Sequence, residues 1–229
     1  MTRDLEYLDR PLGQRAEVAV HVPSSTKCLL DVGCGTGGFG TLVRELLPST
    51  QLWGIEPDPQ AAQVAQTAGA YNDIVQGQFP DQPNPAATGH WPSKFDCIVF
   101  NDVLEHMLKP DEALAAAASL LAPQGILIAS IPNVRYLRNL FELLVLRDWE
   151  YKDNGILDRT HLRFFTFRSA RRLLEDAGYE ILQSHGINMM LSRRVPKSVR
   201  RPYLAVGGAF AGTLCLQILL VARPASSAT

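Results

Sequence analysis

Short apolar runs alternate with longer amphipathic stretches along most of the chain. The runs fall at 28–33, 51–56 (Gln-Leu-Trp-Gly-Ile-Glu), 72–76, 95–101 (Phe-Asp-Cys-Ile-Val-Phe-Asn), 125–131 (Gly-Ile-Leu-Ile-Ala-Ser-Ile), 179–187 and 213–222. Such lengths and compositions suit buried strands. Between them, helical patterns occupy 38–47, 58–69, 111–121, 134–147 and 168–177, and a further helical stretch covers Leu12–His21. Strand and helix in alternation predict βαβ units. The expected architecture is a doubly wound α/β fold: a mostly parallel seven-stranded sheet with helices on both faces. The last two strands follow one another without a clear helix, which predicts a hairpin at the sheet edge and an antiparallel last strand.

Two regions break the rhythm. Residues 80–93 carry Pro80, Pro83, Pro85, Pro92 and Gly89 and read as a loop. Residues 148–166 are rich in charge and aromatics and read as an insertion over the mouth of the sheet. The stretch Tyr203–Ala222 is about as long as a membrane span and follows Arg193, Arg194, Lys197, Arg200 and Arg201. Gly207, Gly208, Gly212 and Gln217 interrupt it, and Thr213–Val221 suits the final buried strand. A strand is therefore expected and no transmembrane span, with peripheral membrane contact through the basic run left open. The chain divides, as one domain over 1–229, into an N-terminal helical segment (1–24), a core (25–132), an insertion (133–167) and a C-terminal helix with two strands (168–229).

Bulk composition narrows the class. The 229 residues are 46% hydrophobic, enough for one full-sized core. Twenty-two basic and 23 acidic residues give a net charge of −1, which offers no basic footprint for nucleic acid. Cys28, Cys34, Cys97 and Cys215 are far apart, with no C-x-x-C pair. They read as reduced thiols, and the N-terminus lacks an apolar signal core, so a cytoplasmic location is expected.

The candidate chemistry starts at Asp31-Val-Gly-Cys-Gly-Thr-Gly37, directly after the apolar Cys28-Leu29-Leu30. A glycine turn between strand and helix lets a ligand approach the backbone closely. Gly33, Gly35 and Gly38 also satisfy the dinucleotide spacing G-x-G-x-x-G. A pyrophosphate there would face Asp31 at like-charge cost, whereas an amine and a sulfonium would be attracted. S-adenosylmethionine carries both. In open α/β sheets ligands bind at the carboxyl ends of the strands. There the chain offers Glu56 for ribose hydroxyls, Pro57, Gln78 and Phe79 around adenine, and Asn101 and Asp102 near the methionine end. The donor-binding set is thus Asp31, Gly33, Cys34, Gly35, Gly37, Glu56, Pro57, Gln78, Phe79, Asn101 and Asp102.

Four segments together carry a resemblance: Leu-Asp-Val-Gly-Cys-Gly-Thr-Gly, Gly-Ile-Glu-Pro-Asp, Phe-Asp-Cys-Ile-Val-Phe-Asn-Asp-Val-Leu-Glu-His and Leu-Ala-Pro-Gln-Gly-Ile-Leu-Ile-Ala-Ser-Ile-Pro-Asn. Over about residues 25–185 the chain resembles the Rossmann-like class I S-adenosylmethionine-dependent methyltransferases. The resemblance implies donor-binding roles for Asp31, Gly33, Gly35, Gly37 and Glu56. Gln78 departs from it, since relatives commonly carry an aspartate there, although a glutamine carbonyl accepts the same hydrogen bond. Gly155–Phe167 is similar to a subgroup associated with polysaccharide and glycan synthesis.

An alcohol acceptor needs a base or a metal to handle its proton. His106 and His161 are the histidines expected at the sheet mouth, and Glu105 adjoins the first, so these three are the catalytic candidates. Asp102, Glu105 and His106 stand at i, i+3 and i+4, and a helix starting there would put them on one face. With His161 they could form a Mg²⁺ or Mn²⁺ site. That arrangement is similar to the metal motif of ubiquinone-pathway and small-RNA 3′-end O-methyltransferases, which carry glutamate at the position of Asp102. Alternatively Glu105 and His106 are a surface pair, with His106 a metal-free base. Asp158, Arg159, His161 and Arg163 either close the insertion as ion pairs or grip a polar acceptor, with Tyr136, Trp149 and Tyr151 available for stacking. The expected activity is O-methylation of a hydroxyl on a sugar, glycan or related small molecule. An NAD-binding oxidoreductase and a non-catalytic partner protein are the alternatives.

Overall fold

Strand-by-strand alternation of buried side chains decides the layers. The computed structural model describes residues 15–81, 91–189 and 211–225. Its strands are β1 (Cys28–Val32), β2 (Gln51–Glu56), β3 (Asp73–Gln76), β4 (Phe95–Asn101), β5 (Leu121–Pro132), β6 (Tyr179–Met189) and β7 (Cys215–Pro224). They form one seven-stranded sheet in the order β3-β2-β1-β4-β5-β7-β6. The first five pair in parallel, while β7 runs antiparallel to both β5 and β6. The expected mostly parallel sheet with an antiparallel last strand is what forms. Within the hairpin, β7 takes the inner place and β6 the edge.

Successive strand residues point to opposite faces. Leu30, Val32, Ile98, Phe100, Leu127, Ala129, Ile218 and Leu220 pack on one side with Ala113, Leu114 and Ala117 of α4 (Pro110–Leu120) and Ala170 and Leu174 of α6 (Phe167–Asp176). Leu29, Cys97, Val99, Ile128, Leu219 and Val221 face the other side. There they meet α1 (Ala16–Ala19), α2 (Gly38–Leu46) and α3 (Pro59–Ala68). Both faces are covered, as a parallel sheet requires.

The caps explain where helices start. The Asp58 carboxylate accepts from the N–H groups of Gln60 and Ala61, each at 2.8 Å, with Pro59 as first helical residue and Gly69 closing α3 in the left-handed region. At α6, Thr166 and Ser169 form a reciprocal capping box.

Three expectations need correction or completion. The predicted helix 134–147 is realised only as α5 (Leu137–Phe141), followed by a π-helical turn over Glu142–Leu146 and a left-handed Arg147. Residues 133–136 are instead held in a turn, with the Arg135 N–H donating to the Asn133 side chain and the Val134 N–H to the Phe165 carbonyl. Beyond Phe141 no residue of the π turn is buried. Helices draw most of their stability from packing an apolar face, and here no face is packed. The N-terminal helix is a single turn, with residues 12–14 outside the described residues. The C-terminal stretch becomes β7 after a 3-10 turn at Ala211–Thr213, while residues 203–210 and the basic run from Arg193 to Arg201 lie outside the described residues. Among the described residues, no helix is long and apolar enough to cross a membrane. All four cysteines are free, three of them buried.

Thr166→Ala removes one half of the α6 capping box. It is expected to lower unfolding free energy by about 1 kcal/mol, measured by urea denaturation.

Candidate active site

The glycine turn after β1 is built on three left-handed glycines, Gly33, Gly35 and Gly37, with φ of 72°, 54° and 86°. The N–H groups of Gly33 and Cys34 both donate to the Ile55 carbonyl, at 2.8 and 3.1 Å, which stitches the turn to β2. A side chain at Gly33 would meet Val103 at 2.5 Å, whereas Gly35 faces open space. Glu56 closes the arrangement. Its carboxylate, almost fully buried, accepts from the Gly35 N–H at 2.8 Å and the Asp58 N–H at 3.0 Å. The acid at the end of β2 is thereby oriented by the turn itself.

A cavity of about 520 Å³ opens beside it, lined among others by Gly33, Glu56, Pro57, Gln78, Phe79 and Asp102. Val103, His106, Met107 and Thr160 complete its far wall. Phe79 is fixed by an edge contact to Phe100 at 5.9 Å. Asp31, Cys34, Gly35, Gly37 and Asn101, also expected at the donor site, do not line this cavity. Gly37 caps α2, and Cys34 is buried under the turn.

Asp31 does not sit in the open as the sequence suggested. Strand alternation turns it away from the faces of Leu30 and Val32, and it is 1% exposed. Its Oδ2 accepts from the Tyr71 hydroxyl at 2.6 Å, and the same hydroxyl oxygen accepts from the Gly40 N–H at 3.1 Å. Its Oδ1 has no partner among the described residues, and neither amide atom of Asn101 has one. Burial pushes the Asp31 carboxyl up to about 7, against the opposing pull of the Tyr71 hydrogen bond. Unsatisfied buried polar atoms at two adjacent strand ends suit a ligand that brings donors and positive charge.

Asp102 also departs from expectation. No helix starts there: residues 102–108 form turns, with the His106 N–H donating to the Val103 carbonyl, and Asp102 itself is left-handed at φ 53°. Its carboxylate is held by the Arg15 guanidinium, by the Gln217 amide and by the Ser130 hydroxyl. Arg15 also donates to Ser130 at 2.8 Å and to Glu17 at 2.8 Å.

A second cavity, about 220 Å³, lies on the other side of Asp102, lined by Glu105, Asp158, His161 and Gln217 among others. Glu105 is 1% exposed with neither carboxyl oxygen hydrogen-bonded among the described residues. Burial, reinforced by Asp102, holds its carboxyl well above the ordinary range. His161 Nδ1 lies 2.9 Å from the Ile156 carbonyl and its Nε2 3.9 Å from Glu105. The His106 and His161 rings stand edge to face at 4.6 Å. Burial first, then the neighbouring His161, lowers the His106 pKa.

A family model described as a methyltransferase domain matches residues 5–184. The chain belongs to that family. Over 135 residues it is 31% identical to ubiquinone biosynthesis O-methyltransferase of Albidiferax ferrireducens, covering 57% of this chain and 53% of that protein. With the Burkholderia pseudomallei protein of the same name it shares 28% identity over 173 residues, covering 73% and 69% respectively. The chain spans about a quarter to a half of the length of the first curated relatives it matches. It also aligns with a chain of the Haloferax volcanii complex that contains the Trm112 methyltransferase activator, at TM-score 0.66 and 16% identity over 97% of this chain and 94% of that one. At that identity the likeness shows the fold, which is the Rossmann-like fold of S-adenosylmethionine-dependent methyltransferases.

In this methyltransferase domain three of the four residues expected at an ion site come together and Asp102 does not join them. Glu105, His106 and His161 each place one ligand atom within 4.8 Å of the others, but the Asp102 carboxylate is engaged by Arg15. Sequence reasoning missed the roles of Arg15, Tyr71 and Gln217, none of which stands in a motif, and of Thr160, which lies within Gly155–Phe167. It also missed buried Asn133, whose amide donates to the Gly212 and Cys215 carbonyls and so ties the end of β5 to β7. Of the aromatics proposed for stacking, Trp149 and Tyr151 pack on Phe164 at 5.2 and 6.3 Å, and Tyr136 lines a third cavity with Arg138 and Lys152.

Asp31 makes a measurable contribution to the pH dependence of stability. Its folded pKa lies above the unfolded value, so the ligand-free protein loses stability as pH rises from about 4 to about 7. Asp31→Asn should remove about 2–4 kcal/mol of that loss, read as the difference between urea midpoints of the two proteins across this range.

Proposed function

We propose that the domain transfers a methyl group from S-adenosylmethionine to a hydroxyl of a small acceptor. The observation that carries this reading is the Glu56 carboxylate, clasped by the Gly35 and Asp58 N–H groups at the rim of the 520 Å³ cavity. It stands where ribose hydroxyls need an acceptor, between a glycine turn that admits close approach and the apolar face of Phe79. The unpartnered Asp31 Oδ1 and Asn101 amide lie beyond the lining of that cavity, at the ends of β1 and β4, as buried polar atoms still open to a partner. Bound there, S-adenosylmethionine supplies an electrophilic methyl on a positively charged sulfur.

The protein's own task is then to position the acceptor and take its proton. His106 lines the donor cavity, and His161 and Glu105 line the smaller one across Asp102. In this reading the acceptor hydroxyl enters between the two cavities. His106 takes its proton as the oxygen–methyl bond forms and the sulfur–methyl bond breaks. A hydroxyl acceptor is supported by the names of the O-methyltransferase relatives. A sugar or glycan as its source rests on the resemblance of Gly155–Phe167 alone. Glu105, His106 and His161 are read as a metal-free proton-handling group, because the fourth expected ligand is taken by Arg15.

S-adenosylhomocysteine should raise the melting temperature at millimolar concentration, whereas NAD should not. Glu56→Ala should weaken S-adenosylhomocysteine binding by about 10- to 100-fold in calorimetry, the scale of losing hydrogen bonds to a charged group. Equal affinity in the variant would remove the basis of the reading. Labelled-methyl transfer into a cell-extract fraction should survive EDTA and fall at least about 100-fold in His106→Ala. Activity lost to chelation and restored by a divalent ion would instead make the three residues an ion site.

A further inference from the structure

The donor and proton-acceptor roles leave unexplained why His106 is approached by Thr160, and Thr160 by Asp158. The Thr160 N–H and hydroxyl both lie on the same Asp158 carboxyl oxygen, at 2.8 and 2.6 Å. The Thr160 hydroxyl oxygen is 3.0 Å from His106 Nδ1, and the Thr160 carbonyl oxygen is 3.3 Å from the same nitrogen. We propose that Asp158 and Thr160 are positioning residues: they lock His106 as its Nδ1–H tautomer and leave Nε2 as the lone pair available to an acceptor hydroxyl.

Donor and acceptor counting fixes the direction of each bond. A threonine hydroxyl has one proton, and a carboxylate oxygen at 2.6 Å is the strongest acceptor it meets. With that proton spent on Asp158, the hydroxyl presents a lone pair to His106. The Thr160 carbonyl can only accept. Two acceptors therefore converge on Nδ1, and Nδ1 must carry the hydrogen. A neutral imidazole has one N–H, so Nε2 is bare. Among the described residues no hydrogen bond to His106 Nε2 is found.

His161 repeats the pattern from the same segment. Its Nδ1 meets the Ile156 carbonyl at 2.9 Å, and its own backbone N–H closes the turn onto the Asp158 carbonyl at 3.0 Å. One short stretch, Ile156–His161, thus sets the tautomers of both rings. Against the cost of burial, hydrogen bonds from Thr160 hold Asp158 below the ordinary carboxylate range, and its carboxyl oxygen accepts the threonine O–H. A loop-closing turn alone would not need its hydroxyl directed at an imidazole in the wall of the 520 Å³ cavity.

The inference rests on the methyltransferase reading for its consequence, but its test does not. Uniformly ¹⁵N-histidine-labelled full chain should show His106 with Nδ1 in the protonated range and Nε2 in the unprotonated range of long-range ¹H–¹⁵N spectra. In Asp158→Ala the freed hydroxyl donates to Nδ1, and the His106 Nε2 signal should move toward the protonated range. Thr160→Val should give a mixture, and Thr160→Ser should restore the parent pattern. A wild-type His106 protonated on Nε2, or an unchanged tautomer in both Asp158→Ala and Thr160→Val, overturns the proposal. The wild-type spectrum decides even where a variant fails to fold. S-adenosylhomocysteine affinity of the wild type is measured beside it: absent binding removes the methyltransferase reading, whereas retained binding with the wrong tautomer removes only the relay.

Discussion

The ion pair between Asp102 and Arg15 is the contact on which the mouth of the sheet depends. A carboxylate at the end of β4 cannot be left without a partner in a largely buried site, and removing one member of such a pair costs about 3–5 kcal/mol. Here the partners come from everywhere at once. Arg15 leads into α1, Ser130 lies on β5 and Gln217 on β7, and Asn188 of β6 donates onward to Gln217 and Glu17. Among the described residues four non-glycine residues have positive φ, and three of them, Arg15, Asp102 and Asn188, belong to this network. Such backbone conformations persist only where surrounding contacts hold them. The network supplies those contacts, and its central side chain becomes the wall shared by the two cavities.

A second buried acid works differently. Asp31 has a neutral partner, Tyr71, and burial outweighs the pull of that hydrogen bond and of the Arg15 charge on its ionisation. The arrangement explains local sequence choices. Tyr71 reaches Asp31 only because Gly40 has no side chain; a Cβ there would lie 2.2 Å from the Tyr71 ring. The hydroxyl joins β1, the first turn of α2 and the approach to β3. A cationic ligand arriving near Asp31 would favour the ionised form that the empty protein disfavours. Binding of such a ligand and the protonation of this acid would be linked.

The pattern of apolar runs was enough to place all seven strands, because each run is bounded by turn chemistry and the inner ones are buried on both faces, while the edge strands β3 and β6 are only partly covered. Residues at strand ends were legible for the same reason: topology alone puts Glu56, Phe79 and Asp102 at one rim. Side-chain direction was not. Whether Asp31 faces the ligand or the core depends on the twist and register of β1 against β2, and the one-letter pattern does not carry that. The helix expected over 134–147 failed because hydrophobic periodicity reports what a segment could bury, not whether anything is there to bury it against. Phe141, Leu144, Val145 and Leu146 remain 51–70% exposed. Arg15 and Gln217 were invisible because their partner is over a hundred or nearly ninety residues away, and no local spacing records such a pair.

The acceptor side shows why a fold and its chemistry are specified by different parts of the chain. The parallel core places Glu105 and His106 immediately after β4 whatever the insertion does. It does not determine which nitrogen of either histidine carries the proton. In the proposal above that is set by the insertion, through the Ile156 carbonyl for His161 and through the Thr160 carbonyl together with its Asp158-held hydroxyl for His106. The insertion is itself pinned to the core. The N–H groups of Leu162 and Arg163 donate to the Glu105 carbonyl at 2.9 and 3.1 Å, and the Arg163 guanidinium donates to the Leu108 carbonyl at 2.6 Å. The backbone of Glu105 thus anchors the segment whose carbonyls orient the imidazoles beside the Glu105 side chain. A change in the insertion that broke this anchoring would leave the sheet and donor cavity intact while altering the lone pairs presented to an acceptor. Sequence divergence between 150 and 163 is then a route to new acceptor chemistry on an unchanged donor site.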